Sequence, residues 1–180
     1  MTPVREKKMK RFFNIYDANS SGTIQKGDFE KPVQAGAAFL GLAPDSNEYS
    51  EMYEWSMGFW EFLCQNLNKN DNDLITTSEF LNAMDALATD KTSLNKIIMG
   101  HANFTLKLWD RDNDGMMSQE EFIAAHTAYN VNPDSAHEAF GHLDRNGDSQ
   151  LSYEEIIQAI DEYFTSDDPE AIGNWFILDN

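Results

Sequence analysis

The chain has little positive charge and a single cysteine. It carries 13 Lys and Arg residues against 31 Asp and Glu residues, so the formal net charge of its 180 residues is -18. Such an excess of negative charge disfavours nucleic acid and anionic membranes as partners and favours cations. The lone cysteine, Cys64, cannot form a disulfide within the chain, and it is compatible with a reducing compartment.

Long apolar runs are also missing from the sequence. The basic start, MTPVREKKMKR, lacks the apolar stretch of a signal peptide, and no stretch is long enough for a membrane span. We therefore expect a cytoplasmic protein. Hydrophobic residues make up 41% of the chain and aromatic residues 12%, which indicates a folded acidic protein. Cys64 is expected to be a small buried group, with a reactive thiol as the alternative.

Four loop-like segments stand out in this acidic chain. The segment DRDNDGMMSQEEF, from Asp110, places carboxylates at loop positions 1, 3, 5 and 12, a glycine at position 6 and an apolar residue at position 8. This is the EF-hand pattern, in which the position 7 carbonyl completes a calcium shell of oxygen donors. The predicted ligands are Asp110, Asp112, Asp114, Met116 through its carbonyl, and Glu121.

The same spacing recurs from Asp144, in DRNGDSQLSYEEI. The predicted ligands are Asp144, Asn146, Asp148, Gln150 through its carbonyl, and Glu155. Position 6 is Ser149 instead of glycine. A positive φ at a non-glycine residue costs about 1–2 kcal/mol, which weakens calcium binding without abolishing it.

The loop from Asp17, DANSSGTIQKGDF, ends in aspartate at position 12 instead of glutamate. The predicted ligands are Asp17, Asn19, Ser21, Thr23 through its carbonyl, and Asp28. Because aspartate is one methylene shorter, Asp28 reaches an ion less easily with both oxygens. We expect Mg²⁺ to compete with Ca²⁺ most strongly at this loop. Together with the loops from Asp110 and Asp144, it brings the number of predicted calcium sites to three.

The segment NKNDNDLITTSE, from Asn68, keeps the register of such a loop but little of its charge. Positions 1, 3 and 5 are asparagines, and Glu79 at position 12 is the remaining ligand carboxylate. We predict a structural hand that does not bind calcium at physiological concentrations. Aspartate at position 6, Asp73, is expected to tolerate the bend that glycine makes elsewhere.

The pattern around these loops predicts an all-α fold of four helix-loop-helix motifs in two pairs. Helices are expected near residues 4–16, 26–40, 50–67, 77–88, 93–109, 119–129, 134–143 and 153–164. Short β-bridges should join residues 23–25 to 74–76 and residues 116–118 to 150–152. The expected domains are an N-terminal pair at 1–92, a C-terminal pair at 93–164, and an apolar tail at 165–180 that packs on a hydrophobic groove.

The chain resembles the sarcoplasmic calcium-binding proteins and calexcitins. The resemblance is carried by a long first linker, the aspartate that ends the first loop, the degenerate second loop and the ending TSDDPEAIGNWFILDN. It implies a compact globule with two lobes packed face to face. It also implies calcium buffering, or signalling as in calexcitins, without enzymatic activity.

These features favour a calcium buffer with no obligatory protein partner, as a monomer. One alternative is a calcium sensor that exposes an apolar groove, and its eight methionines would suit such a surface. Another is a luciferin-binding protein or photoprotein relative, because Trp55, Trp60, Trp109 and Trp175 could line a cavity. Against this last alternative, all four histidines lie in the second half of the chain and the chain ends without proline.

Overall fold

The computed structural model describes residues 1–128 and 131–178. Its α-helices are α1 Pro3–Tyr16, α2 Lys26–Leu40, α3 Asn47–Leu67, α4 Thr77–Leu87, α5 Lys91–Trp109, α6 Gln119–Ala128, α7 Pro133–Leu143 and α8 Tyr153–Thr165. A 3₁₀ turn follows at Ile172–Trp175. Every predicted helix is present and the all-α fold is confirmed. Residue 129 of the predicted sixth helix and tail residues 179 and 180 lie outside the described residues.

Within the described residues, four two-residue strands join the loops in pairs. They are β1 Thr23–Ile24, β2 Ile75–Thr76, β3 Met117–Ser118 and β4 Gln150–Leu151. Strand β1 pairs antiparallel with β2, and β3 pairs antiparallel with β4. Each bridge falls inside its predicted range, so the first loop pairs with the degenerate second loop and the third loop pairs with the fourth.

The chain divides into two compact units. Met9–Leu94 form the N-terminal unit, and Met1–Lys8 with Asn95–Asn180 form the C-terminal unit. The predicted domain boundaries stay a prediction. Among the described helices, none combines the length and the apolar character that a membrane crossing requires.

An aromatic cluster fills the core of the N-terminal unit. Tyr16 stacks on Phe29 with ring centroids 4.2 Å apart, and Trp60 approaches the same Phe29 ring at 5.2 Å. Helix α3 contributes Phe59, which is 2% exposed, while Trp55 and Phe62 of the same helix are half-buried. Because both helices of each hand place aromatic rings here, the cluster fixes the two ends of the first two loops.

The break between α2 and α3 follows from local sequence signals. Gly41 ends α2 with a left-handed φ of 68°, which glycine adopts without steric cost. The next helix begins after Ser46, whose side chain accepts a hydrogen bond from the Tyr49 N–H at 3.1 Å. Cys64, near the end of α3, is buried, and burial raises the pKa of its thiol, in line with its predicted structural role.

A buried lysine organises the C-terminal unit. The Lys8 ammonium donates to the carbonyl oxygens of Ser166 at 2.8 Å and Glu162 at 3.1 Å, and so satisfies the end of α8. The Tyr163 hydroxyl donates to the Lys8 carbonyl oxygen at 2.5 Å. Lys8 is 3% exposed, and burial lowers its pKa from 10.5 to about 8. The first residues of the chain are therefore fastened to the last helix.

The tail after α8 folds back onto this unit. Gly173 lies so close to α8 that an added Cβ would clash with the backbone of Ala159 and Tyr163. Phe176 and Ile177 are each 7% exposed. The Trp175 ring stacks on His142 of α7 with centroids 4.2 Å apart. The tail thus contacts both helices of the fourth hand.

Candidate metal centres

Three of the four loops share a backbone conformation that turns their side chains inward. In each of them, positions 4 and 6 have a left-handed φ. The residues are Ser20 (54°) and Gly22 (78°), Asn113 (59°) and Gly115 (85°), and Gly147 (74°) and Ser149 (69°). Ser149 adopts the strained φ that the sequence required of it. Because three loops of different sequence share one conformation, we infer that all three loops surround the same kind of ion-binding site.

The carboxylate at position 1 is held by the backbone of its own loop. Both oxygens of Asp17 accept hydrogen bonds at 2.8 Å, from the N–H groups of Ser21 and Gly22. Asp110 accepts from the Gly115 N–H at 2.8 Å, and Asp144 accepts from the Ser149 N–H at 2.9 Å. The bend at position 6 therefore aims an amide at the first ligand, which orients that ligand before any ion arrives.

The loop from Asp110 concentrates negative charge most strongly. Carboxylate oxygens of Asp110, Asp112 and Asp114 all lie within 4.8 Å of one another. Burial and the neighbouring carboxylates raise the pKa of Asp112, against the lowering effect of a hydrogen bond from the Asp114 N–H. A hard cation with oxygen preference relieves this repulsion, so the residues present fit calcium.

The glutamates at position 12 close the third and fourth loops. Glu121 Oε1 accepts from the Arg111 N–H at 2.7 Å, and Oε2 accepts from the Ser118 N–H at 2.9 Å. Burial alone would raise the pKa of Glu121, but these hydrogen bonds outweigh it and hold the pKa below its usual value. Glu155 has the same arrangement, with the Arg145 N–H at 3.0 Å. Each glutamate reaches back to the start of its loop.

The first loop ends differently, as its aspartate predicts. One oxygen of Asp28 accepts from the Gln25 N–H at 3.0 Å. The other lies 2.6 Å from the ammonium of Lys31, one turn along α2. A divalent ion that recruits Asp28 must compete with this lysine, although the Lys31 side chain is 52% exposed and the pair is screened by water.

The second loop departs from the common conformation. All of its residues are described, and its left-handed φ is at Asn68, at 53°, instead of at positions 4 and 6. The expectation that Asp73 would take the bend at position 6 is wrong. Asp73 instead accepts a hydrogen bond from the Asn70 N–H at 2.8 Å. The bend has moved to the end of α3, where asparagine tolerates it as a helix cap.

Two charged residues of the loops were missed by reasoning from ligand positions alone. The Lys69 ammonium is 2.8 Å from Glu79 Oε1 and 2.5 Å from the Leu74 carbonyl oxygen. Arg145 Nη2 is 2.8 Å from Glu162 Oε1 on α8. Both residues occupy loop position 2, which supplies no ligand to calcium in the EF-hand pattern. For Lys69, the available signal in the sequence was a basic residue within a loop that has few carboxylates.

Comparisons with known proteins agree with this geometry. A family model described as EF hand matches residues 9–33. The chain is similar to calerythrin of Saccharopolyspora erythraea, with 26% identity across 96% of this chain and 99% of that protein. It is also similar to calexcitin-1 of Caenorhabditis elegans, with 24% identity across 96% of this chain and 85% of that protein.

Solved structures share the fold. A Streptomyces coelicolor calcium-binding protein, described in terms of prokaryotic calcium-mediated regulation, aligns with a TM-score of 0.72 and 27% identity, over 89% of this chain and 98% of that one. The coelenterazine-binding protein of Renilla muelleri, in its calcium-loaded apo form, aligns over 100% of both chains with a TM-score of 0.71. Its identity is 21%, so this second likeness concerns the fold alone.

Proposed function

We propose that this chain, which is similar to EF-hand calcium-binding proteins, buffers calcium through the loops that begin at Asp17, Asp110 and Asp144. The observation that carries the proposal is the left-handed φ at positions 4 and 6, which these three loops share and the loop from Asn68 lacks. The ion is the cargo of the protein. Carboxylate, amide, hydroxyl and carbonyl oxygens would hold it, and no bond of a substrate is broken.

The proposal includes several properties that follow from the loops and the surface charge. Mg²⁺ competes with Ca²⁺ most effectively at the first loop, because Asp28 is short and already paired with Lys31. The protein works as a cytoplasmic monomer, without an obligatory protein partner and without catalytic activity. Its acidic surface keeps it apart from nucleic acid and anionic membranes.

The tail favours buffering over sensing. A sensor hand changes the angle between its two helices and exposes an apolar groove when calcium binds. Here the tail contacts α7 through Trp175 and α8 through Gly173, so both helices of the fourth hand are tied to one segment. Buried Phe176 and Ile177 occupy apolar surface that a partner helix would otherwise need.

A regulatory role is the second candidate, and one contact favours it. Arg145 lies inside the fourth loop and pairs with Glu162, which in turn accepts a hydrogen bond from the Gly173 N–H at 2.8 Å. Calcium in this loop could therefore act on the tail. The related Streptomyces protein is described as taking part in calcium-mediated regulation.

Calcium titration in the presence of a hydrophobic fluorescent dye separates the two functions. A buffer binds three ions without an increase in dye fluorescence, because the tail stays in place. A dye signal that rises with calcium, and that is lost when the fourth loop is disabled by Glu155→Gln, would establish the regulatory role instead. Repeating the titration with Mg²⁺ identifies the mixed site.

A further inference from the structure

The ammonium of Lys69 lies between two oxygens whose loop positions normally serve calcium. Nζ is 2.8 Å from Oε1 of Glu79 at position 12 and 2.5 Å from the carbonyl oxygen of Leu74 at position 7. In an EF-hand these positions supply the terminal carboxylate and the backbone carbonyl of the metal shell. We propose that Lys69 is a built-in cation of the second loop, which holds the loop closed in place of calcium.

The backbone explains why a side chain takes this part. In the third and fourth loops, the position 2 N–H donates to the position 12 carboxylate, as Arg111 does to Glu121 at 2.7 Å. In the second loop the Lys69 N–H is already used, because the turn at Asn68 directs it to the Cys64 carbonyl oxygen at 2.9 Å. The carboxylate of Glu79 receives the ammonium of the same residue instead.

The contact is half-buried, because the Glu79 side chain is 37% exposed and water screens part of the attraction. The Lys69 side chain is 19% exposed, and its hydrogen bond is the largest of the effects that lower the pKa of Glu79 to about 2, followed by the Thr76 hydrogen bonds. Glu79 also caps α4, where its Oε2 accepts from the Thr76 N–H at 2.9 Å. The ammonium therefore links the start of the loop, through Glu79, to the end of β2 and the start of α4.

This inference goes beyond a shortage of carboxylates and holds whether the chain buffers or regulates. A shortage of carboxylates predicts that restoring them restores binding. A resident ammonium predicts that restored carboxylates are not enough, because a dication entering the loop meets a positive charge beside Glu79. The two explanations therefore predict different calcium affinities for a loop that has its carboxylates restored but keeps Lys69.

The test compares two repaired loops in the full chain. Both carry Asn68→Asp, Asn70→Asp, Asn72→Asp and Asp73→Gly, and one also carries Lys69→Gln. Calorimetric calcium titration should show an additional ion with Lys69→Gln, and binding of that ion about tenfold or more weaker when Lys69 is retained. Equal affinity for the additional ion in the two proteins, or no additional ion in either, would overturn the proposal.

A second measurement uses the unrepaired loop and no metal. In chelator, Lys69→Gln should lower the thermal midpoint, whereas Lys69→Arg should preserve it and Lys96→Gln, an exposed lysine on α5, should leave it unchanged. If Lys69→Gln changes the thermal midpoint no more than Lys96→Gln does, the Lys69 ammonium does not stabilise the loop. This stability readout is independent of the dye experiment, so the proposed buffering function can fail while the role of Lys69 stands.

Discussion

Arg145 and Glu162 connect the fourth loop to the tail through one ion pair, 2.8 Å from Nη2 to Oε1. The second oxygen of Glu162 accepts the Gly173 N–H at 2.8 Å. A single carboxylate therefore touches both the fourth loop and the tail. The pair is partly exposed, so the ion pair itself adds little, and the hydrogen bond to the tail carries more of the effect.

Replacing Glu162 should loosen the tail. We expect Glu162→Ala to lower the free energy of unfolding by about 1–2 kcal/mol, because the variant loses a charge-assisted hydrogen bond and the pair with Arg145. Chemical denaturation measures this change, and limited proteolysis of the tail shows where it acts. Asp161→Ala is the matched control, since Asp161 is an exposed carboxylate on the same helix. Equal effects of the two variants would contradict the link to the tail.

Adding one methyl group at Gly173 should displace the tail. The new Cβ would clash with the Ala159 carbonyl oxygen and with Glu162 Cβ on α8, so either the tail or α8 must shift. We expect Gly173→Ala to increase hydrophobic dye binding without calcium and to destabilise the protein by about 1–3 kcal/mol. Gly141→Ala, with nothing within 4 Å of its Cβ, should instead be neutral or stabilising. Unchanged dye binding in Gly173→Ala would show that the tail covers no apolar surface.

Mild acid should destabilise the calcium-free protein through His101. The centroids of the His101 and Phe176 rings lie 5.9 Å apart. Burial lowers the pKa of His101 from 6.5 to about 4. The unfolded chain therefore binds a proton that the folded chain does not, and the stabilisation present above pH 6.5 is lost as pH falls towards 4. Thermal unfolding at a series of pH values measures this loss.

Two histidine variants isolate the contribution of His101. His101→Phe should lose less stability than the unmodified protein when the pH falls from about 7 to about 5. His137→Phe, at an exposed position on α7, should follow the unmodified protein. If both variants lose stability in parallel with the unmodified protein, the acid sensitivity comes from other groups.

Lengthening the ligand at the end of the first loop should change its ion preference. Asp28→Glu adds the methylene that allows both carboxylate oxygens to reach a calcium ion, and it weakens the contact with Lys31. We expect calcium affinity at this loop to rise by about tenfold while competition by Mg²⁺ declines. Titrations with and without Mg²⁺ measure both effects. An unchanged ratio of the two affinities would show that residue 28 does not set the preference.

Much of the architecture could be predicted because local signals and loop spacing agree. Helix α2 was predicted at 26–40 and is found at Lys26–Leu40, since the first loop fixes its start and Gly41 fixes its end. The strand pairing followed from the same register, because Ile24 and Ile75 both occupy position 8 and both are fully buried. Spacing in the sequence translates directly into these features.

The interactions that were missed depend on side-chain paths between distant residues. The rule for loop ligands says nothing about position 2, so it could not indicate that Lys69 reaches across the second loop to Glu79. The shift of the left-handed residue from position 6 to Asn68 depends on how α3 ends, which is with Asn68 as a left-handed C-cap. The route from Arg145 to Gly173 likewise required the fold of the tail.

Calcium stoichiometry with one ligand removed at a time tests the central claim most directly. The unmodified chain should bind three ions. Asp28→Asn, Glu121→Gln and Glu155→Gln should each remove one, and Glu79→Gln should remove none, because Glu79 serves Lys69 instead of calcium. A fourth ion in the unmodified chain, or the loss of an ion in Glu79→Gln, would contradict the account.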